Sequence, residues 1–281
     1  MAILSMAAPT SAPLPFFYDL YTFRGDAGGT TVVASIAVEA RRLKRENIQG
    51  QSRYRFDVRF VLADTATRSV SNTEDSVFLS MPVALNRQHL VHTYVEVQAE
   101  PSRSTLQRVV VTDATRPGTG QLYSSPFLIP DYSGSELMLS DIAFGLPDAT
   151  GGWTRRGVTL ALLPTSQFPT SAFDVYYEIY NLPAGTPYET EISIQPIDDD
   201  DDEDGQAVRT IFSGESAARQ DGSMAVLRRI ESALPRGRYR FMVSVRDRIG
   251  GEVATQTRDF EVRAWGGGAT LVEALPYKAE G

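Results

Sequence analysis

Leu234-Pro235-Arg236-Gly237-Arg238-Tyr239 runs directly into an alternating stretch, Phe241, Val243 and Val245. A short Leu-Pro-x-Gly-x-Tyr turn feeding a strand is how many immunoglobulin-like sandwiches enter their penultimate strand. There the tyrosine hydroxyl bonds back to the backbone a few residues upstream and pins the corner. Leu234, Gly237 and Tyr239 are read as that structural corner. Phe241 occupies the place of an antibody domain's second half-cystine, so packing stands in for a disulfide. The expected fold is all-β: two tandem immunoglobulin- or fibronectin-like β-sandwich domains with extended N- and C-terminal segments.

A chain of 281 residues is long for one sandwich and suits two domains. With 42% apolar and 10% aromatic residues it can bury two cores. Cys is absent, which excludes disulfides, a thiolate nucleophile and Cys-ligated zinc. No apolar stretch approaches the length of a transmembrane helix, and Met1–Ala8 lacks the basic start and long apolar core of a signal peptide. The net charge of −8 is concentrated: the seven acids of Asp198–Asp204 account for most of it, and no basic footprint for nucleic acid is present. Lys44 and Lys278 are the only lysines beside 25 arginines, a bias that interface contacts or codon usage would both produce.

Residues 1–15, with Pro9, Pro13 and Pro15, read as an extended tether. Phe16-Phe17-Tyr18-Asp19-Leu20-Tyr21-Thr22-Phe23 is either a first edge strand over a core or an aromatic docking segment. Period-two alternation follows: Arg53–Asp64 puts Tyr54, Phe56, Val58, Phe60 and Leu62 on one face and charged residues on the other. Further strands are expected at 31–39, 76–83, 91–99 and 106–112. The punctuation of Pro126–Gly134 marks a junction, so the first sandwich is placed at 16–130 and the second at 136–263. Second-half strands are expected at 137–144, 158–163, 173–180, 188–196, 207–212, 224–230, 238–246 and 252–262, the last hairpin turning at Gly250-Gly251. Tyr94–Thr112 has the outline of Phe241–Val262, a weak sign of duplication. Trp265 and Gly266-Gly267-Gly268 open a tail, 264–281, that is either frayed or a docking peptide.

No catalytic, cofactor-binding or metal-binding residue is assigned. Asp200, Asp202, Asp204 and Gly205 match the opening of an EF-hand loop, but its closing Glu position falls on Ile211, so the run reads as a solvated hairpin tip. His89 and His92 are three apart, which puts them on opposite faces of a strand. The chain has neither a Gly-x-Ser-x-Gly elbow nor a phosphate-cradling glycine loop. Arg41-Arg42-Leu43-Lys44-Arg45 is the one basic cluster: an exposed loop, or a contact with lipid headgroups or an acidic surface. The candidate partner-binding residues are Phe16, Phe17, Tyr18, Arg41, Arg42, Lys44, Arg45, Trp265, Leu271, Leu275 and Tyr277. Tyr176, Tyr180 and Tyr188 are a candidate aromatic platform for a sugar or peptide, although Tyr176 alternates out of phase with Val175, Tyr177 and Ile179.

Phe173–Ile194, Leu139-Ser140-Asp141-Ile142 and Leu234–Phe260 resemble the C-terminal β region of secreted bacterial GWxTD-domain proteins. Phe17–Tyr21 and Val32–Val38 resemble the segment preceding it. Gly152-Trp153-Thr154-Arg155 lacks the final Asp of the signature, and the helical domain of that family is missing. The resemblance implies a β fold and a periplasmic location, and it carries over no enzymatic activity. In size and character the chain also resembles the membrane-extrinsic subunits that brace the double-ring bacterial photosystem. The expectation is therefore a non-catalytic scaffold without cofactors, contacting protein subunits of a larger complex at a membrane surface. The alternatives are a carbohydrate- or peptide-binding envelope module and, for location, a membrane-associated cytoplasmic protein.

Overall fold

The computed structural model describes residues 12–25, 28–86, 88–148, 151–168, 172–197, 208–231, 234–263 and 270–273. Strand makes up 68% of the structure, and the one helical element among the described residues is the 3-10 turn Ala40–Arg42. The protein is all-β, built as sandwiches.

The strands form four sheets stacked in a row. A first outer sheet orders Ala12–Pro13, Thr119–Ile129, Ser102–Asp113, Gln51–Asp64 and Glu46–Ile48, with Val70–Met81 also paired to Gln51–Asp64. A first inner sheet orders Phe16–Arg24, Thr30–Glu39, His89–Ala99 and Thr270–Glu273. The second inner sheet runs Met138–Leu139, Ala172–Tyr180, Ala143–Leu146, Val158–Leu162 and Trp153–Arg155, with Ser223–Glu231 flanking Ala172–Tyr180. The second outer sheet runs Gln167–Phe168, Val253–Val262, Gly237–Asp247, Pro187–Pro196 and Val208–Glu215.

Three buried layers lie between these sheets. Phe56, Phe60 and Val109 of the first outer sheet meet Val32, Ile36 and Val97 of the inner one. Phe173, Val175 and Ile179 meet Phe241, Val243 and Phe260 in the second sandwich. A third layer joins the sandwiches: Tyr21, Phe23 and Val33 pack on Ala143, Trp153, Leu160, Leu162 and Tyr176. Both inner sheets are thus covered on both faces, as in the burial of Thr30–Glu39, where every residue but Glu39 is buried.

The tyrosine corner forms: the Tyr239 hydroxyl donates to the Pro235 carbonyl at 2.9 Å, with Tyr239 7% exposed and Leu234 packed on the same core. Gly237 is not held there by its backbone, since an added Cβ would meet the Tyr239 ring at an ordinary 3.7 Å. Phe241 is fully buried and sits edge-on to Phe144 at 5.8 Å, which is the packing that stands in for a disulfide.

Several expectations need correction. The segment taken as a tether ends inside the first sandwich: Ala12–Pro13 pairs in parallel with Thr119-Gly120, and Leu14 is fully buried. Pro126 is within a strand, opposite Leu106, rather than at a junction. It is tolerated there because, among the described residues, Thr119–Ile129 is paired on one side only over that length. The proposed duplication fails on topology: Gly237–Asp247 and Val253–Val262 are a hairpin, whereas His89–Ala99 and Ser102–Asp113 lie in different sheets. Residues 270–273 return to the first sandwich, Val272 standing opposite Val91 in parallel and packing on its core.

Candidate functional site

Ala172–Tyr180 places Phe173, Val175, Tyr177 and Ile179 toward the second core, so Asp174, Tyr176, Glu178 and Tyr180 face the opposite way. That opposite face meets the first sandwich. Glu178 is fully buried, and its carboxylate accepts from Tyr176 Oη at 2.6 Å and Tyr180 Oη at 2.7 Å. Arg155 completes the ring, Nε donating to Oε1 at 2.6 Å and Nη2 to Oε2 at 3.3 Å. Arg156 stands 3.7 Å away.

The turn that delivers these arginines is built from Arg156 and Gly157, with φ of 52° and 83°, a two-residue link between Trp153–Arg155 and Val158–Leu162. Gly152, at φ 141°, lets the chain run against this strand, because a Cβ there would overlap the Leu160 carbonyl. Arg155 also donates to the Arg24 carbonyl at 2.6 Å and lies 5.0 Å over the Phe23 ring, so one side chain bridges the two sandwiches. Arg24 answers from the other side: its backbone N–H donates to Tyr180 Oη at 2.8 Å and its guanidinium covers the Tyr180 ring at 4.3 Å.

Burial, then the Glu178 charge, raises both Tyr176 and Tyr180 above the usual phenol range, which keeps them protonated donors. Burial alone would lower Arg155, but Glu178 outweighs it and the guanidinium is held charged.

Further polar bridges line the same seam. Asp141 Oδ2 accepts from the Thr22 backbone N–H at 3.0 Å and hydroxyl at 2.9 Å. Arg258 pairs with Asp19 and covers the Tyr21 ring at 4.4 Å, while Tyr21 Oη donates to the Leu163 carbonyl at 2.8 Å. Ser35 Oγ donates to the Leu162 carbonyl at 3.1 Å and bonds His92 Nε2 at 2.8 Å, which assigns the proton of that bond to His92. Burial lowers His92 to about 4, so the ring is neutral. Trp153 Nε1 donates to Glu96. These groups bond one another across the contact between the two sandwiches and join them.

The residues marked as partner-binding are scattered differently. Phe16 is buried in the first core and Tyr18 is half-buried, stacked on Tyr123 at 5.9 Å, so this segment is the edge strand of the two readings; only Phe17 is largely exposed, at 44%. Arg41, Arg42, Lys44 and Arg45 are exposed, with Leu43 buried beneath them. Arg41 and Arg42 share Glu39, and Asp113 accepts from the Lys44 backbone N–H at 2.9 Å. Leu271 lies in the strand paired with Leu90, within the first sandwich. Trp265, Leu275 and Tyr277, like the acidic run 198–204, lie outside the described residues. Tyr176 and Tyr180 are buried in the seam, so they offer no aromatic platform; Tyr188 packs against the second core. His92 faces the seam, while His89 bonds Asn86 near the surface.

Sequence reasoning missed Glu178, Arg155 and Asp141. One signal was present: Tyr176-x-Glu178-x-Tyr180 puts a carboxylate between two phenols on one strand face.

No group of His, Cys, Asp or Glu suited to a metal occurs among the described residues, and no described helix is long and apolar enough to cross a membrane. No protein-family model and no curated protein matches the chain. Among solved structures it is similar to red sea bream transglutaminase, with 10% identity and a TM-score of 0.24 over 89% of this chain and 31% of that one. It is also similar to Bacteroides uniformis beta-glucuronidase 2 covalently bound to cyclophellitol-6-carboxylate aziridine, with 10% identity and a TM-score of 0.27 over 86% and 27% of the two chains. The chain spans less than a third of the length of either structure.

Proposed function

We propose that this protein is a non-catalytic scaffold subunit that braces a larger membrane-bound assembly, on the periplasmic face, and contacts it through the Arg41–Arg45 loop. The observation that carries the reading is the seam. Glu178, Arg155 and the tyrosines that would otherwise face solvent or a ligand are spent on fixing two sandwiches as one body. A fixed two-sandwich body suits a spacer between partners. The loop suits contact because Lys44 and Arg45 project from a well-anchored base: Arg116 Nη2 donates to the Arg42 carbonyl at 2.5 Å and Thr115 to that of Lys44 at 3.3 Å. The sugar- or peptide-binding alternative loses its platform with the burial of Tyr176 and Tyr180.

Among the described residues the grip is assigned to the loop rather than to Leu14 or Val272, which belong to the first core. Replacing Arg41, Arg42, Lys44 and Arg45 by Glu should leave the unfolding transition unchanged and abolish co-purification with native membranes. Retention at wild-type levels by a folded variant would overturn the assignment.

A further inference from the structure

The sheet edges of this molecule are not equally guarded. Val70–Met81 carries Glu74 and Asp75, Thr119–Ile129 carries Pro126, and Ser223–Glu231 carries Arg228, Arg229 and Glu231. The free side of Phe16–Arg24 is capped, since the Thr22 and Arg24 backbone N–H groups donate to Asp141 and Tyr180. Charge, proline and capping are the usual means by which an edge is kept from pairing with another chain.

Val208–Glu215 differs in where its charges sit: Arg209 and Glu215 lie near its two ends and Thr210–Gly214 between them is uncharged. Among the described residues it is the terminal strand of the second outer sheet, paired with Pro187–Pro196 alone. Seven of its eight residues are exposed, Val208 at 44% and Ile211 at 52%, and it contains neither proline nor lysine. Its inward residues Val208, Thr210 and Phe212 line a cleft of about 380 Å³ with Ile192, Ile194 and Ile230. Arg209, Ile211, Ser213 and Glu215 therefore face outward.

We propose that this edge pairs with the same edge of a second copy of this chain, antiparallel, in a two-fold dimer. The strand's own charges select that occupant and its register. Two antiparallel copies keep their inward and outward faces aligned only in registers that shift by two residues. One of these sets Phe212 opposite Phe212 on the two-fold axis, Ile211 opposite Ser213, and Arg209 opposite Glu215 at both ends. The pairing is self-complementary in charge, as an isologous contact requires, and directly opposed unlike charges favour a strand pair. Arg209 is exposed and already points along this face, bonded to Glu191 of the neighbouring strand at 2.5 Å. The result is one sheet continuous through two molecules, joined by main-chain hydrogen bonds in the manner of strand addition.

The test is sedimentation of the full chain across micromolar to submillimolar concentrations, alongside variants with unfolding midpoints checked. The wild type should show a concentration-dependent monomer–dimer equilibrium. Ile211→Lys, at an already exposed position, should shift it at least tenfold toward monomer. Arg209→Glu and Glu215→Arg should each do the same, and the double swap should restore the wild-type equilibrium. A wild type that stays monomeric throughout would overturn the proposal. A dimer indifferent to Ile211→Lys would overturn it too, because the contact would lie elsewhere. A dimer that Ile211→Lys breaks but the double swap fails to restore would overturn the register.

Discussion

Two strands of this molecule are buried on both faces, and they reach that state by opposite routes. Thr30–Glu39 turns Val32, Ala34, Ile36 and Val38 to one core, and Val33, Ser35 and Ala37 to the seam. It reads as a nearly unbroken run of small and branched side chains, the pattern of a strand with no wet face. Ala172–Tyr180 turns an apolar set to its own core but presents Tyr176, Glu178 and Tyr180 to the seam. It reads as alternating, which on an antiparallel sheet normally means water on one side. The difference shows that alternation separates two environments without saying that either one is water. A polar face can equally be a face that meets its hydrogen-bonding complement.

The contrast can be broken most severely at Glu178. Glu178→Ala strands the Arg155 charge and two phenol donors in the seam, and should cost about 3–5 kcal/mol by denaturant unfolding, as removal of one partner of a buried ion pair does. Combining it with Arg155→Met should recover a large part of that loss. A single-variant cost below about 1 kcal/mol, the scale of an exposed pair, would mean that the seam face of Ala172–Tyr180 is solvated after all.

On the other strand the comparable group is Ser35, which holds neutral His92. The folded-state value of about 4 lies below the ordinary 6.5. Between those values the unfolded chain binds the proton that the folded chain refuses, so stability falls as pH is lowered from about 6.5 to about 4 and loses no more from this group below that. The loss is on the order of 3 kcal/mol at full effect. A His92→Gln variant should lack this component, so the difference between the two pH profiles isolates it. Parallel profiles would show that the first strand's seam face is not dry.

The smallest effect is expected at the corner. Tyr239→Phe removes one hydrogen bond to the Pro235 carbonyl and should cost about 1 kcal/mol, leaving loop-dependent membrane co-purification intact. Loss of co-purification with unchanged stability would place Tyr239 in a contact rather than a corner.

The outline of the fold was legible because its signals are local. The corner, the Gly250-Gly251 turn and the alternation of Gln51–Asp64 each depend on neighbours in sequence. The seam was illegible because its partners are far apart: Thr22 and Asp141, Arg24 and Tyr180, Arg155 and the Arg24 carbonyl. Without the covering sheet, Tyr176 has every appearance of a surface tyrosine. The short parallel additions, Ala12–Pro13 and Thr270–Glu273, were missed for a related reason. Two or four residues carry too little pattern to declare a strand, and both are defined by where they dock.

The return of Thr270–Glu273 to the first inner sheet also orders events during synthesis. Val272 stands beside Val91, a contact spanning roughly 180 residues, and contacts of such separation form late and slowly. The first sandwich emerges early from the ribosome, yet its inner sheet keeps an open flank at His89–His92 until the second sandwich has been made. During that interval the nascent chain exposes one unpaired edge of His89–Ala99, which is otherwise paired with Thr30–Glu39, the condition under which chaperones are engaged and strands are exchanged between molecules.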